Sequence, residues 1–69
     1  MTMRYEFRVD GPISDEARAA FADMRITELP PQTVIDGEVM DESHLRGVIA
    51  QIDALGLELI SALPDPAAG

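Results

Sequence analysis

The hydrophobic positions of this chain switch between alternating and helical spacing. Apolar and charged residues alternate from Met3 to Val9, which predicts a β-strand with one buried and one solvated face. Ser14 then precedes apolar residues at helical spacing and is a favourable N-cap. The residues predicted to face the core from this short helix are Ala17, Ala20, Phe21 and Met24.

Two strands are predicted around the turn at Pro30-Pro31. The segment Arg25–Leu29 is interpreted as a short edge strand, and Thr33–Val39 as a longer strand with Ile35, Gly37 and Val39 facing inward. A glycine inside a strand indicates a bulge or the close approach of a helix. The alternative is a hairpin turn at Asp36-Gly37, which leaves only short strands on either side.

The most regular pattern lies in the second half of the chain. Asp41 is predicted to cap a helix with one apolar stripe, formed by Leu45, Val48, Ile49, Ile52 and Leu55. Gly56 is the predicted C-terminal stop. A strand is predicted over Leu57–Leu63. Its inward residues are expected to be Leu57, Leu59, Ser61 and Leu63, and its outward residues Glu58, Ile60 and Ala62.

Strand-helix-strand therefore occurs twice in succession. This order predicts an α+β domain with the ferredoxin-like split βαβ topology, β-α-β-β-α-β. The sheet is expected to be antiparallel in the spatial order fourth, first, third, second strand, with two helices on one face. We expect a single domain over residues 1–63 and a disordered tail over residues 64–69.

The net negative charge of the chain makes some classes of partner unfavourable. The 69 residues include 13 acidic side chains against five arginines and no lysine, for a formal charge of −8. A negative surface repels phosphate, so neither nucleic acid nor an anionic membrane is an expected partner. The chain has no cysteine, no signal-peptide core at its start and no apolar run near the ~20 residues of a membrane span. These features predict a cytoplasmic protein.

Candidate chemistry is sparse. His44 is the only histidine and follows Asp41 and Glu42 closely, so it is the one candidate catalytic residue; a surface or rim position is the simpler interpretation. The carboxylates Asp36, Glu38, Asp41 and Glu42 are expected near one end of the fold, without the spacing of a calcium loop. The sequence predicts no cofactor and no metal site, and it favours a protein that is not an enzyme.

Self-association is the predicted mode of action. The last strand lies at a sheet edge with one charge, and exposed edges pair with other chains unless they are blocked. A domain this small is also marginally stable without disulfides, a metal or a partner chain. The predicted homodimer interface consists of Glu58, Ile60 and Ala62 of the strand and of small residues on the outer helix face, Ser43, Gly47, Ala50 and Ala54. An exposed, alanine-rich helix face without a partner is the alternative for the second group.

Three segments carry a resemblance to known sequences. They are Arg4-Tyr5-Glu6-Phe7-Arg8-Val9, Thr33-Val34-Ile35-Asp36-Gly37-Glu38-Val39, and Asp41 through Gly47-Val48-Ile49 with the ending Leu55-Gly56-Leu57-Glu58-Leu59-Ile60-Ser61. In these segments the chain resembles short, mostly uncharacterised actinobacterial proteins. Many of those have histidine before the glycine, where this chain has Arg46. The resemblance implies the same fold and carries no function.

Three functions follow as hypotheses. The first is a small non-catalytic interaction or regulatory module that acts as a homodimer or through another protein. The second is a sensor of an amino-acid-like small molecule, with the ligand between subunits at the loops Asp10–Ser14 or Val39–Ser43. The third is a small dimeric enzyme or cyclase that uses His44, and it requires His44 and an acid to face one cavity.

Overall fold

The computed structural model describes residues 2–65. The elements are β1 (Met3–Asp10), α1 (Asp15–Ala20), β2 (Arg25–Leu29), β3 (Gln32–Val39), α2 (Glu42–Ala54) and β4 (Leu59–Pro64). The four strands form one antiparallel sheet in the order β2-β3-β1-β4. The α+β class, the order of the elements and the strand order predicted from the sequence are confirmed.

The helix boundaries have the predicted capping groups. The Ser14 hydroxyl accepts a hydrogen bond from the Ala17 backbone N–H at 3.2 Å, and the Asp41 carboxylate accepts one from the His44 backbone N–H at 2.8 Å. These bonds satisfy N–H groups that have no partner inside the helix. Gly56 has a φ of +76° directly after α2, a backbone conformation that favours glycine.

A single apolar core lies between the sheet and the helices. Phe7 and Ile35 are cross-strand neighbours on β1 and β3, and both are fully buried. The buried cluster includes Ala17 and Phe21 from α1 and its C-cap, and Val48 and Ile52 from α2. The rest of the predicted α2 stripe packs partly buried against this cluster: Leu45, Ile49 and Leu55. Both helices therefore cover the same face of the sheet.

Gly37 marks the close approach of the segment that follows α1. A Cβ atom at this position would lie 2.7 Å from Met24 Cγ and 3.4 Å from Met24 Cα. The pairing of β1 with β3 runs without interruption through Gly37. A close approach at Gly37 is therefore confirmed, although its partner is the segment after α1 and not a helix; the alternatives of a bulge and of a hairpin turn at Asp36-Gly37 are wrong.

The faces of β4 differ from the prediction because of a β-bulge. Ser61 pairs with Arg8 and Leu59 pairs with Val9, so Ile60 is an extra residue between two regular pairs. Leu57 and Leu59 pack against the core as predicted. Beyond the bulge the alternation is shifted by one residue. Ala62 therefore packs inward opposite Phe7, whereas Ser61 and Leu63 share the open face; for these three residues the predicted orientation is wrong.

The end of the domain also differs from the prediction. The strand begins at Leu59 instead of Leu57 and includes Pro64, which was expected in the tail. Asp65 continues the contact, because its backbone N–H donates to the Arg4 carbonyl at 2.8 Å. The predicted tail therefore starts at least two residues too early, and residues 66–69 lie outside the described part of the chain.

Thr33 is a buried polar side chain that the sequence pattern did not single out. It is 1% exposed, and its hydroxyl donates to the Gly11 carbonyl at 2.8 Å. The bond joins β3 to the loop between β1 and α1. Gly11 N–H also donates to the Pro31 carbonyl at 2.7 Å, so one hydrogen bond joins this loop to β3 and a second joins it to the β2–β3 turn.

Gly37 and Gly47 provide a matched pair of glycine substitutions. Gly37→Ala should lower the free energy of unfolding by about 1–3 kcal/mol, because the new methyl group overlaps Met24. Gly47→Ala should raise it by about 0.5–1 kcal/mol, because Gly47 lies in a helix interior and the added carbon would meet no atom within 4 Å beyond its own stretch of helix backbone. Guanidinium denaturation at one fixed protein concentration measures both. A Gly37→Ala protein as stable as wild type would contradict the close packing.

Thr33→Val should lower the free energy of unfolding by about 1 kcal/mol, because it leaves the Gly11 carbonyl without its hydroxyl donor. Thr27→Val is the matched control on the exposed strand β2 and should have an effect near zero. Thermal or denaturant unfolding distinguishes the two. Equal effects would show that the Thr33 hydrogen bond makes no net contribution.

Candidate functional site

An apolar groove separates α2 from the edge strand β4. Its volume is about 390 Å³. The residues that line it are Arg46, Ile49, Ala50, Ile52, Asp53, Leu57 and Leu59. We call it the α2–β4 groove. Of the residues predicted for self-association, Ala50 is the one among these lining residues.

The predicted small residues of α2 are at the surface. Ser43, Gly47, Ala50 and Ala54 are all exposed. A Cβ atom added at Gly47 would meet nothing within 4 Å. Within residues 2–65, nothing covers this position, so the backbone of α2 is accessible to another chain here.

The predicted interface residues of β4 separate into two groups. Glu58 and Ile60 are exposed, and 47% of the Ile60 surface is accessible. Ala62 faces the core opposite Phe7 and does not contribute to an outer surface. Leu63, which the sequence pattern assigned to the core, is instead 59% exposed. The apolar surface of β4 therefore consists of Ile60 at the bulge and Leu63 on the open face of the sheet.

The backbone edge of β4 is less available for strand pairing than the sequence indicated. The Asp65 N–H donates to the Arg4 carbonyl. In an antiparallel pair, every second residue of β4 therefore directs its backbone N–H and C=O toward β1, and the residues between direct theirs away from β1. By this alternation the backbone groups of Ala62 and Pro64 point away from β1, toward the free edge of the sheet. Proline has no N–H to donate there. A bulge and an edge proline both protect sheet edges. Side chains beside β4 are thus better contact groups than its backbone.

Charged side chains occupy the open face of the sheet. Arg4 pairs with Asp36 at 2.7 Å across β1 and β3, and Arg8 pairs with Glu6 at 2.8 Å along β1. The aromatic rings of β1 face the other way: Tyr5 and Phe7 stack with ring centroids 6.0 Å apart on the core side. Base-stacking sheets present aromatic side chains on the open face, and this face presents ion pairs.

The imidazole of His44 is used in the local structure. Its Nδ1 accepts a hydrogen bond from the Met40 backbone N–H at 3.0 Å, so Nδ1 is the unprotonated nitrogen of the ring in this arrangement. The bond holds the residue before the N-cap against the first turn of α2. This structural role was not visible in the sequence, where His44 was distinguished only as the single histidine.

His44 shares an open depression with several charged groups. The depression has a volume of about 410 Å³ at the end of β3. Its charged lining residues are Arg4, Asp23, Arg25, Asp36 and Glu38. In residues 2–65 no hydrogen bond joins the His44 imidazole to a carboxylate, and Asp36 is bound to Arg4 instead. The cavity shared with acids is present, but the histidine–carboxylate contact of a catalytic dyad is not formed.

The predicted cluster of carboxylates is divided among separate roles. Asp36 is paired with Arg4, and Asp41 caps α2. Glu42 lies 3.7 Å from Arg46 on the helix surface. Across the described residues, no group of three or more histidine, cysteine, aspartate or glutamate side chains is arranged to hold a metal ion.

The two loops predicted for a small ligand adjoin shallow depressions. One of about 150 Å³ is lined by Val39, Met40, Asp41 and Glu42 together with Met3, Tyr5 and Leu45. The other, of about 170 Å³, includes Pro12 and the Pro30-Pro31 turn. Both are smaller than the ~300 Å³ at which ligand pockets usually begin.

Comparison with known proteins defines the relationship of the chain. No helix within the described range combines the length and the apolar character required to span a membrane. No curated protein and no solved structure matches the chain. Residues 4–62 match a domain family described as a domain of unknown function, DUF8691. The match extends from β1 into β4 and includes every element of the sheet and both helices, so the chain belongs to the DUF8691 family.

Proposed function

We propose that this protein is a small interaction module that acts as a homodimer and that the α2–β4 groove is its contact surface. We further propose that its topology is ferredoxin-like, on the basis of the strand order and of the two helices on one face. The proposal keeps the cytoplasmic location predicted from the sequence.

The groove is the observation that carries the proposal. It brings Ile49, Leu57 and Leu59 beside Ala50 of α2, and Ile60, next to Leu59 in the chain, is exposed at the bulge. A second chain that covers these side chains would remove their remaining apolar surface from water, which favours association. A standard interface covers ~800 Å² of each partner, roughly a fifth of the 4483 Å² surface of this chain. Burial of that area would supplement a core that is small for an independent domain.

The sensor hypothesis is the second candidate, and the depression at the loop after β3 is the observation that favours it. Backbone N–H groups at the start of α2 could bind a carboxylate there. However, the depression is also lined by Asp41 and Glu42, whose charges repel an anion, and it holds only about 150 Å³. The geometry therefore supports the dimeric interaction module better.

The purified chain should have twice its monomer mass of 7.5 kDa in light scattering at micromolar concentration. Ile60→Lys should weaken this association, because it puts a charge beside the groove. Leu29→Lys is the matched control: Leu29 is 49% exposed, against 47% for Ile60, and lies on the opposite edge strand. It should leave the mass unchanged.

Circular dichroism of each variant checks that helix content is retained. A monomeric wild type throughout the micromolar range would contradict the proposed function. A dimer that both lysine variants weaken equally would contradict the choice of surface, because Leu29 is remote from α2 and β4.

A further inference from the structure

We infer that α2 packs antiparallel against α2 of a second copy, about a two-fold axis that passes between Ile49 and Ala50. In this arrangement Arg46 of each copy pairs with Asp53 of the other. The inference rests on the proposed function and specifies how the two copies recognise each other.

The spacing of the two charges on α2 is the first argument. Arg46 and Asp53 both line the α2–β4 groove and are seven residues apart, which is close to two helical turns and ~10 Å along the axis. They therefore lie on the same flank of the helix. A two-fold axis halfway between them brings each charge opposite its complement, so one surface recognises itself through two identical ion pairs.

The residues between the charges permit close contact. Ala50 lines the groove, is exposed beside the axis and has only a methyl side chain. Ile49 is half-buried and supplies apolar surface at the centre of the groove. Helix axes pack 8–10 Å apart depending on the side chains at the contact, and small residues give the shorter separations.

The side chains of Arg46 and Asp53 are both available for a contact with a second copy. Arg46 lies 3.7 Å from Glu42, and the two side chains are 77% and 81% exposed. Such an exposed pair is weak. Among the described residues Asp53 makes no salt bridge.

Charge balance identifies the occupant as a second copy. The chain carries a formal charge of −8, so two copies repel each other over most of their surfaces. This flank of α2 offers one positive and one negative group in a self-complementary arrangement. Complementary charges fix the register and favour the correct partner.

Charge exchange tests the inference. Arg46→Glu and Asp53→Arg should each raise the dimer dissociation constant, by about tenfold, because each creates two like-charge contacts per dimer. An equimolar mixture of the two variants should form a heterodimer with near wild-type affinity, because one of its two ion pairs is the wild-type pair and the other is restored with reversed sign. The double variant should recover as a homodimer, because both of its ion pairs are restored with reversed sign. Sedimentation equilibrium gives the constants, and native mass spectrometry separates hetero- from homodimers by their different masses.

Net charge is controlled within the experiment. Arg25→Glu makes the same change in net charge as Arg46→Glu on exposed strand β2 and should alter the dissociation constant much less. Asp53→Arg makes the chain less negative, so general repulsion alone would strengthen the dimer, whereas the inferred pairing weakens it.

The outcomes separate the inference from the proposed function. A wild-type dimer that neither charge variant weakens, or a mixture that does not form the heterodimer, would overturn the helix pairing and leave the homodimer intact. A wild-type protein that is monomeric at every concentration would overturn both.

Discussion

A single row of apolar side chains across the sheet determines the rest of the structure. Phe7 on β1 and Ile35 on β3 are cross-strand partners at its centre and have no solvent exposure. The row continues outward to Ile26 on β2 and Ala62 on β4. Because this row links all four strands, the two helices must supply their apolar stripes to the same face. Phe7 and Ile35 belong to one buried cluster with residues of both helices, and burial of this kind is the main driving force of folding.

The sequence predicts those parts of the fold that depend on local pattern. The stripe of α2, the alternation of β1 and the caps at Ser14 and Asp41 each follow from spacing or side-chain chemistry within a few residues. Gly37 was interpreted as a bulge or a point of close approach, and the partner, Met24, could be identified only once the segment after α1 and β3 were positioned together. The tertiary contact with Met24 therefore explains why a residue without a side chain occupies position 37.

The errors arise where pairing overrides local pattern. Residues Leu57 to Leu63 are mostly apolar, and strict alternation over them places the polar Ser61 on the core face. The adjacent apolar residues Leu59 and Ile60 break the alternation where the bulge lies, but local pattern alone does not say which way the strand continues. The bulge is a property of how β4 pairs with β1, and it moves Leu63 out of the core and Ala62 into it. The roles of Thr33 and His44 were also missed, because they depend on hydrogen bonds that only the folded structure reveals. Thr33 donates to the Gly11 carbonyl, and His44 accepts from the Met40 N–H. The groove between α2 and β4 likewise requires the packed structure, although Ala50 was selected in advance as an interface residue.

The bulge also affects how members of the family should vary in length. Ile60 stands between the pairs Val9–Leu59 and Arg8–Ser61, and it has no partner of its own on β1. If this residue were removed, Leu59 and Ser61 could keep their partners and every side chain of the strand would keep its orientation. A deletion elsewhere in the strand would transfer all residues beyond it to the opposite face. Homologous chains can therefore lose one residue at this point of the sheet, and an alignment gap here would mark a conserved structure instead of a divergent one.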